Sequence, residues 1–200
     1  MDYTLHPLRQ IDPFLLPSLA HLHQKEDHGL LSDLGYPFVF RYFEVVLQDE
    51  RVIGFYALSD SGELVGYTVG SPEPAALTSQ LTREKGWFVR QAARVLFTRP
   101  LIFLQLVISG LSIRGQMENE TDAIESIYLT VDSAMRGRGI GRALQQSLIK
   151  AAREAGYKRI LGSIQLWNKA SLAVTTSNGF KVISTFREGF YKRYRVELIL

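Results

Sequence analysis

The sequence predicts a single mixed α/β (α+β) domain, and three observations carry the prediction. Strand-like and helix-like stretches follow one another along all 200 residues instead of segregating into blocks. Hydrophobic residues make up 46% of the chain, enough at this length for one substantial core. A glycine-rich turn, Arg136-Gly137-Arg138-Gly139-Ile140-Gly141, joins a β-branched strand to an amphipathic helix.

Tyr3 to Leu8 reads as the first strand. Asp12-Pro13 opens a helix, with aspartate as its cap and proline at its first position, and carries Phe14, Leu15, Leu19 and Leu22 inward. A loop from His28 to Tyr36 leads to a second helix, Pro37 to about Leu47. Val52 to Leu58 and Leu64 to Gly70 flank Ser59-Asp60-Ser61-Gly62-Glu63 as a β-hairpin. Residues 72–116 then form a long connection, in which Trp87 to Phe97 is a basic amphipathic helix with Arg90 and Arg94 four apart. Pro100 to Ile113 holds 14 uncharged residues, short of the about 20 that span a bilayer. It is expected to pack on the sheet or a second subunit and shape an acceptor pocket; membrane-interface contact is the lesser alternative.

Ile124 to Val131 is the next strand and Ile140 to Ala155 the helix after the glycine turn. Ile140, Ala143, Leu144, Leu148, Ala151, Ala152 and Ala155 fall on one helical face, and Arg142, Gln145, Gln146, Lys150 and Arg153 on the exposed one. A glycine turn opening a helix aims unpaired N–H groups and the positive end of the helix dipole at one point, which favours a phosphate. It is not a dinucleotide turn, because the third glycine position is Arg142. Nor is it a Walker loop, because no Gly-Lys-Ser/Thr follows. Arg159 to Ile164 forms another strand, Trp167-Asn168 precedes a helix ending at Asn178-Gly179, and Lys181 to Phe186 and Phe190 to Leu198 flank the turn Arg187-Glu188-Gly189.

Arg136, Gly139 and Gly141 match the Q/R-x-x-G-x-G/A pattern, and Asn168, Ser171, Gly179 and Phe180 keep a second spacing downstream, with serine in place of the usual alanine. From Ala123 to Leu200 the chain thereby resembles the GCN5-related N-acetyltransferases. The resemblance implies a mixed, mostly antiparallel central sheet of about seven strands with helices on both faces, and it makes residues 72–116 a helical insertion before the fourth strand. It implies that Arg136, Gly137, Arg138, Gly139, Ile140, Gly141 and Arg142 hold the pyrophosphate of acetyl-coenzyme A. Leu129, Thr130 and Val131 would lie along its pantetheine arm, where a backbone N–H polarises the acetyl carbonyl. Asn168 and Ser171 would face the cofactor, and Asp27, His28 and Asp33 in the loop between the first two helices would contact the acceptor amine.

Glu125 stands eleven residues before Arg136, where the histone-acetylating branch of that family carries its glutamate base. Apolar neighbours Ala123, Ile124 and Ile127 would raise its pKa. The family's tyrosine acid, seven residues after the asparagine, is replaced here by Thr175. Either the thiolate leaves unassisted, or Tyr128, Ser171 or Tyr191 supplies the proton.

The formal charge of +3 conceals an asymmetry: residues 1–77 carry 4 basic and 11 acidic groups, residues 78–116 carry 6 and 1, and residues 117–200 carry 13 and 8. A basic C-terminal half suits a polyphosphate, and an acidic N-terminal half suits a cationic amine. With no cysteine there is no disulfide framework or thiol nucleophile, and His21, His23 and His28 form no metal-binding pattern. Basic charge without interleaved aromatics gives nucleic-acid binding no support. Met1-Asp2-Tyr3-Thr4-Leu5 lacks the features of a signal peptide, so a cytoplasmic location is the default expectation. The expected activity is transfer of acetyl from acetyl-CoA to a primary amine of a small molecule by direct attack in a ternary complex, with no metal and with a homodimer as one possible assembly. A non-catalytic acyl-CoA-binding sensor or interaction module is the alternative, which Thr175 favours.

Overall fold

The computed structural model describes residues 3–113, 122–189 and 191–200. The end of the expected insertion, 114–116, and Phe190 lie outside the described residues. The strands are Tyr3–Pro7 (β1), Ile53–Ser59 (β2), Leu64–Ser71 (β3), Ala123–Val131 (β4), Arg159–Gln165 (β5), Lys181–Glu188 (β6) and Tyr191–Ile199 (β7). They form one seven-stranded sheet in the order β1-β2-β3-β4-β5-β7-β6. Every neighbouring pair is antiparallel except β4 and β5. The helices are Leu16–Glu26 (α1), Leu30–Leu34 (α2), Tyr36–Gln48 (α3), Pro74–Leu81 (α4), Lys85–Thr98 (α5), Pro100–Ile113 (α6), Ile140–Glu154 (α7) and Lys169–Ser177 (α8).

One face of the sheet is covered by α1 and α3, which bury Leu19, Val39 and Phe43 against Tyr67 and Val69. The other is covered by α7, whose Ile140 and Leu144 meet Ala57 and Val65, while Ala152 packs with Ile124 and Ile160. Gly66 of β3 lets α7 come this close. A Cβ there would meet the Thr130 carbonyl oxygen at 3.0 Å, Leu144 at 3.1 Å and Ile140 at 3.3 Å.

Three sequence expectations change. Phe14 is 90% exposed, because Asp12 caps a 3₁₀ turn over Pro13–Leu15 and the α-helix begins only at Leu16, in a different phase. The loop from His28 to Tyr36 contains the short α2. Gln145, expected on the exposed face, is buried. Its Nε2 donates to Thr175 Oγ1 at 3.3 Å, and its Oε1 accepts from Asn178 Nδ2 at 2.7 Å, locking α7 to α8. A polar side chain can lie on a buried face when both its ends are paired.

The insertion is helical, as expected, and begins with an additional helix, α4. Trp87 and Phe88 of α5 meet the edge of Phe38 on α3. Helix α6 packs on α5 and α2.

Gly66→Ala is expected to push the first turn of α7 off the sheet and to lower stability by about 1–3 kcal/mol, as overpacking does. Urea unfolding of the variant beside the parent checks this.

Candidate active site

The site begins where β4 leaves β5. The two strands pair in parallel only over Ala123–Ser126 against Arg159–Gly162. The β3–β4 register passes from Val69↔Tyr128 to Gly70↔Ser126, so Ile127 is an extra residue that bends β4. The Thr68 hydroxyl donates to the Tyr128 carbonyl at 3.0 Å and steadies the bend. Beyond it, Leu129, Thr130 and Val131 keep their pairing with β3 but have no β5 partner. The gap opens into a cavity of about 510 Å³, lined by Ile127–Val131 on one side and Ser163–Gln165 on the other.

One end of the cavity is the glycine turn. Gly137 and Gly139 have φ of +79° and +81°, and a Cβ on either would meet nothing within 4 Å. The first backbone bond of α7 runs from Ala143 N–H to the Gly139 carbonyl at 3.0 Å. The N–H groups of Ile140, Gly141 and Arg142 therefore lie ahead of the helix ladder, at the positive end of the dipole. Gly139, Ile140, Gly141 and Arg142 line the cavity. This open cradle of backbone donors fits a pyrophosphate.

Arg136 serves the cradle indirectly. Its Nη2 donates to Glu26 Oε2 at 2.6 Å, and its Nε donates to the Val131 carbonyl at 3.3 Å. Glu26 Oε1 also accepts from the Ser133 N–H and hydroxyl at 3.0 and 2.8 Å. Burial would raise Glu26, but Ser133, Lys25 and Arg136 together hold it below the ordinary carboxylate value. The end of α1 is thus bolted to the loop that leads into the cradle. Lys25 adds a bond to Asp132 at 2.8 Å.

The other end is acidic and aromatic. Asp27, His28, Tyr128, Trp167, Glu188 and Arg193 line it. Burial raises the Asp27 carboxyl to about 6, with Arg193 and His28 opposing the shift and Asp33 adding to it. Behind it lies His23, fully buried and lowered to about 3 by that burial, hence neutral. The Thr130 hydroxyl donates to the Tyr67 oxygen at 3.2 Å, which leaves the Tyr67 O–H to donate to His23 Nδ1 at 2.5 Å. By this assignment the imidazole proton sits on Nε2, which has no hydrogen-bond partner among the described residues and lies 3.9 Å from Asp27 Oδ2. The Gln165 amide donates to the His28 carbonyl at 2.9 Å and ties β5 to the loop after α1.

The expected site residues divide accordingly. Leu129, Thr130, Val131, Arg136, Gly137, Gly139, Ile140, Gly141, Arg142, Asn168, Ser171, Asp27, His28 and Tyr128 all line the one cavity. Asn168 is also the cap of α8, its Oδ1 accepting from Ser171 N–H at 3.0 Å. Arg138, Glu125, Asp33 and Thr175 are not part of the lining. Glu125 lies where β4 still pairs with β5, and its Oε1 accepts from Arg195 at 2.7 Å. Burial raises its pKa against that arginine's pull. Asp33 accepts the Tyr191 hydroxyl at 2.9 Å. Thr175 is buried, accepts from Gln145 and does not line the cavity. The sequence reading missed His23, Trp167, Glu188 and Arg193. Trp167 beside the helix-capping Asn168 was the one available signal; the others need the fold.

Asp27 and His23 have opposite pH signs. A carboxyl raised from 3.8 to about 6 contributes stability that is complete below the unfolded value and is lost as pH rises through about 6. A histidine lowered from 6.5 to about 3 contributes stability that is complete above 6.5 and is lost as pH falls toward 3. Asp27→Asn is therefore expected to stabilise the fold by about 1–3 kcal/mol at pH 8 and to have no such effect near pH 4. His23→Gln is expected to flatten the acid side of the profile. Urea midpoints measured across that range check both.

Residues 107–180 match the family model described as Acetyltransferase (GNAT) family. Among curated proteins no sequence matches the chain. Among solved structures, the chain resembles the ribosomal-protein-S18-alanine N-acetyltransferase of Escherichia coli, with a TM-score of 0.62, 16% identity, and 99% of this chain and 94% of that one covered. A GCN5-related N-acetyltransferase from Kribbella flavida gives 0.65, 16%, 99% and 98%. A ribosomal-protein-alanine N-acetyltransferase from Brucella melitensis gives 0.63, 20%, 98% and 99%. At these identities the likeness speaks for the fold. The matched segment contains the strand, the glycine cradle and the capped helix that enclose the cavity, and over that segment the chain resembles the GNAT acetyltransferase family, whose fold its split sheet shares.

Proposed function

We propose that the protein is an acetyl-CoA-dependent N-acetyltransferase whose acceptor is a small primary amine. One observation carries the reading: a single cavity has an anion cradle at one end and, at the other, Asp27, a carboxylate with a pKa near 6. Acetyl-CoA supplies an activated acetyl group as its thioester. Backbone N–H groups from Gly139 to Arg142 would hold its pyrophosphate, and the unpaired edge of Leu129–Val131 would orient the pantetheine and polarise the acetyl carbonyl.

The acceptor arrives as an ammonium and must lose a proton before its lone pair can attack. Asp27 faces the cavity and has the pKa of a base that works near neutrality, so it replaces Glu125 as first candidate. The amine nitrogen bonds to the acetyl carbon, the carbon–sulfur bond breaks, and the amine proton leaves through Asp27. Tyr128 is the phenol of the cavity, and burial keeps it protonated and able to donate to the departing thiolate. The acceptor wall is built from α2, whose Leu30 and Leu31 line the cavity and whose Asp33 holds Tyr191. That wall favours a compact amine. Structural neighbours are named for acetylating ribosomal-protein alanine, so a peptide with an N-terminal alanine belongs in any acceptor panel.

Thiol release from acetyl-CoA across amino acids, polyamines, amino sugars, aminoglycosides and that peptide tests the reading. Asp27→Asn is expected to lower kcat/KM by at least about 100-fold on the best amine and to remove an acid limb near pH 6. Retention of full activity by Asp27→Asn with loss in Glu125→Gln would return the base to Glu125. Gly139→Asp is expected to abolish coenzyme A binding in calorimetry with the unfolding midpoint changed little; unchanged affinity would sink the cradle. The position of Thr175, buried on Gln145, favours a binding-only module; coenzyme A binding without turnover on any amine would establish that alternative.

A further inference from the structure

The hairpin of α5 and α6 presents an apolar surface to solvent. Phe97 is 84% exposed, Leu101 74% and Val89 64%, with Leu96, Leu104 and Val107 also exposed. These are not scattered. Val89, Leu96 and Phe97 repeat at helical spacing along α5, opposite the buried Val95. Leu101, Leu104 and Val107 form a row along α6, while Gln105 is buried. Apolar side chains gathered on one helical pair mark a surface that meets something.

Charge selects what it meets. From Lys85 to Ile113 there are four basic residues, Lys85, Arg90, Arg94 and Arg99, and no acidic one. Arg90 and Arg94 are exposed and make no ion pair among the described residues. Both lie beside the Val89–Phe97 stripe, at the edge of the apolar face. A second copy of the chain docked face to face would bring this cationic rim against itself, with no carboxylate from these helices to offset it. A surface of anionic headgroups over acyl chains satisfies both parts at once: chains receive the apolar rows and headgroups the arginines. At 14 residues each, the helices are about 21 Å long, too short to cross a bilayer, and no described helix is long and apolar enough to do so.

We propose that the α5–α6 hairpin docks the protein on an anionic lipid surface, lying in the interface. The orientation this imposes has a consequence at the cavity. Helix α6 packs on α2, and Arg99 Nη1 donates to the Asp33 carbonyl at 2.9 Å. Leu30 and Leu31 of α2 form the acceptor wall. The acceptor end is therefore held next to the docked face. Docking itself does not depend on acetyl transfer, since it is read without turnover.

The test is flotation of the full chain with phosphatidylcholine vesicles containing about 30% phosphatidylglycerol, beside pure phosphatidylcholine vesicles. Binding to the anionic vesicles is expected, at least about ten-fold weaker on the neutral ones and in about 0.5 M salt. Phe97→Asp with Leu101→Asp, and separately Arg90→Glu with Arg94→Glu, are each expected to reduce binding at least about ten-fold. Their unfolding midpoints are expected to stay near the parent's, since all four side chains are exposed. Absence of binding to the anionic vesicles would overturn the proposal, as would equal binding by the parent and both variants. So would a dimer in sedimentation velocity that Phe97→Asp with Leu101→Asp dissolves, which would assign the face to a second copy.

Discussion

The separation of β4 from β5 after four parallel pairs is the constraint on which the rest of the molecule depends. A strand that bends at an extra residue, Ile127, can keep its ladder to one neighbour only. β4 keeps β3, and β5 keeps β7, inserted between it and β6. The sheet remains continuous at its base and opens at its top. The candidate site lines that opening, with the glycine cradle at one end and the acidic, aromatic cluster at the other.

Holding such a gap open requires struts, and the structure uses charge for them. Glu26 gathers Arg136 and Ser133 at the end of α1, with Lys25 alongside and itself bonded to Asp132. The Gln165–His28 bond crosses on the other side. In consequence Arg136, a phosphate ligand by its sequence pattern, is a strut between α1 and the loop, and the donors left to the candidate cradle are backbone N–H groups. The same economy governs the carboxylates. Glu125 has an arginine partner at 2.7 Å, whereas Asp27 faces the cavity with a buried neutral imidazole at its back. Glu125 is thereby tied into the sheet, while Asp27 lines the cavity without such an arginine bond.

The insertion stands apart from this scheme. Its first two helices extend the core over α3 through Leu77, Leu81, Trp87 and Phe88. Val89, Leu96 and Phe97 of α5 and Leu101, Leu104 and Val107 of α6 instead face solvent. The segment thus backs α2 on one side and offers a cationic, apolar surface on the other.

The elements and the glycine turn are legible along the chain. Periodicity, the Asp12 cap and the Gly-containing turns place the strands and most helices within a few residues, because those signals are local. The glycine turn is legible for the same reason, since φ > 0 at Gly137 and Gly139 and the start of a helix are properties of consecutive residues. Which side chains share a space follows from packing between distant segments. Gln145 is inside because Thr175 and Asn178, 30 and 33 residues away, pair with it. Glu125 is tied down by Arg195, 70 residues away. His23 meets Tyr67 and reaches toward Asp27 only when α1 lies on β3. Burial and charge partners set the pKa of a carboxylate, and both come from distant segments. Which acid in this chain can act as a base is therefore decided by the fold.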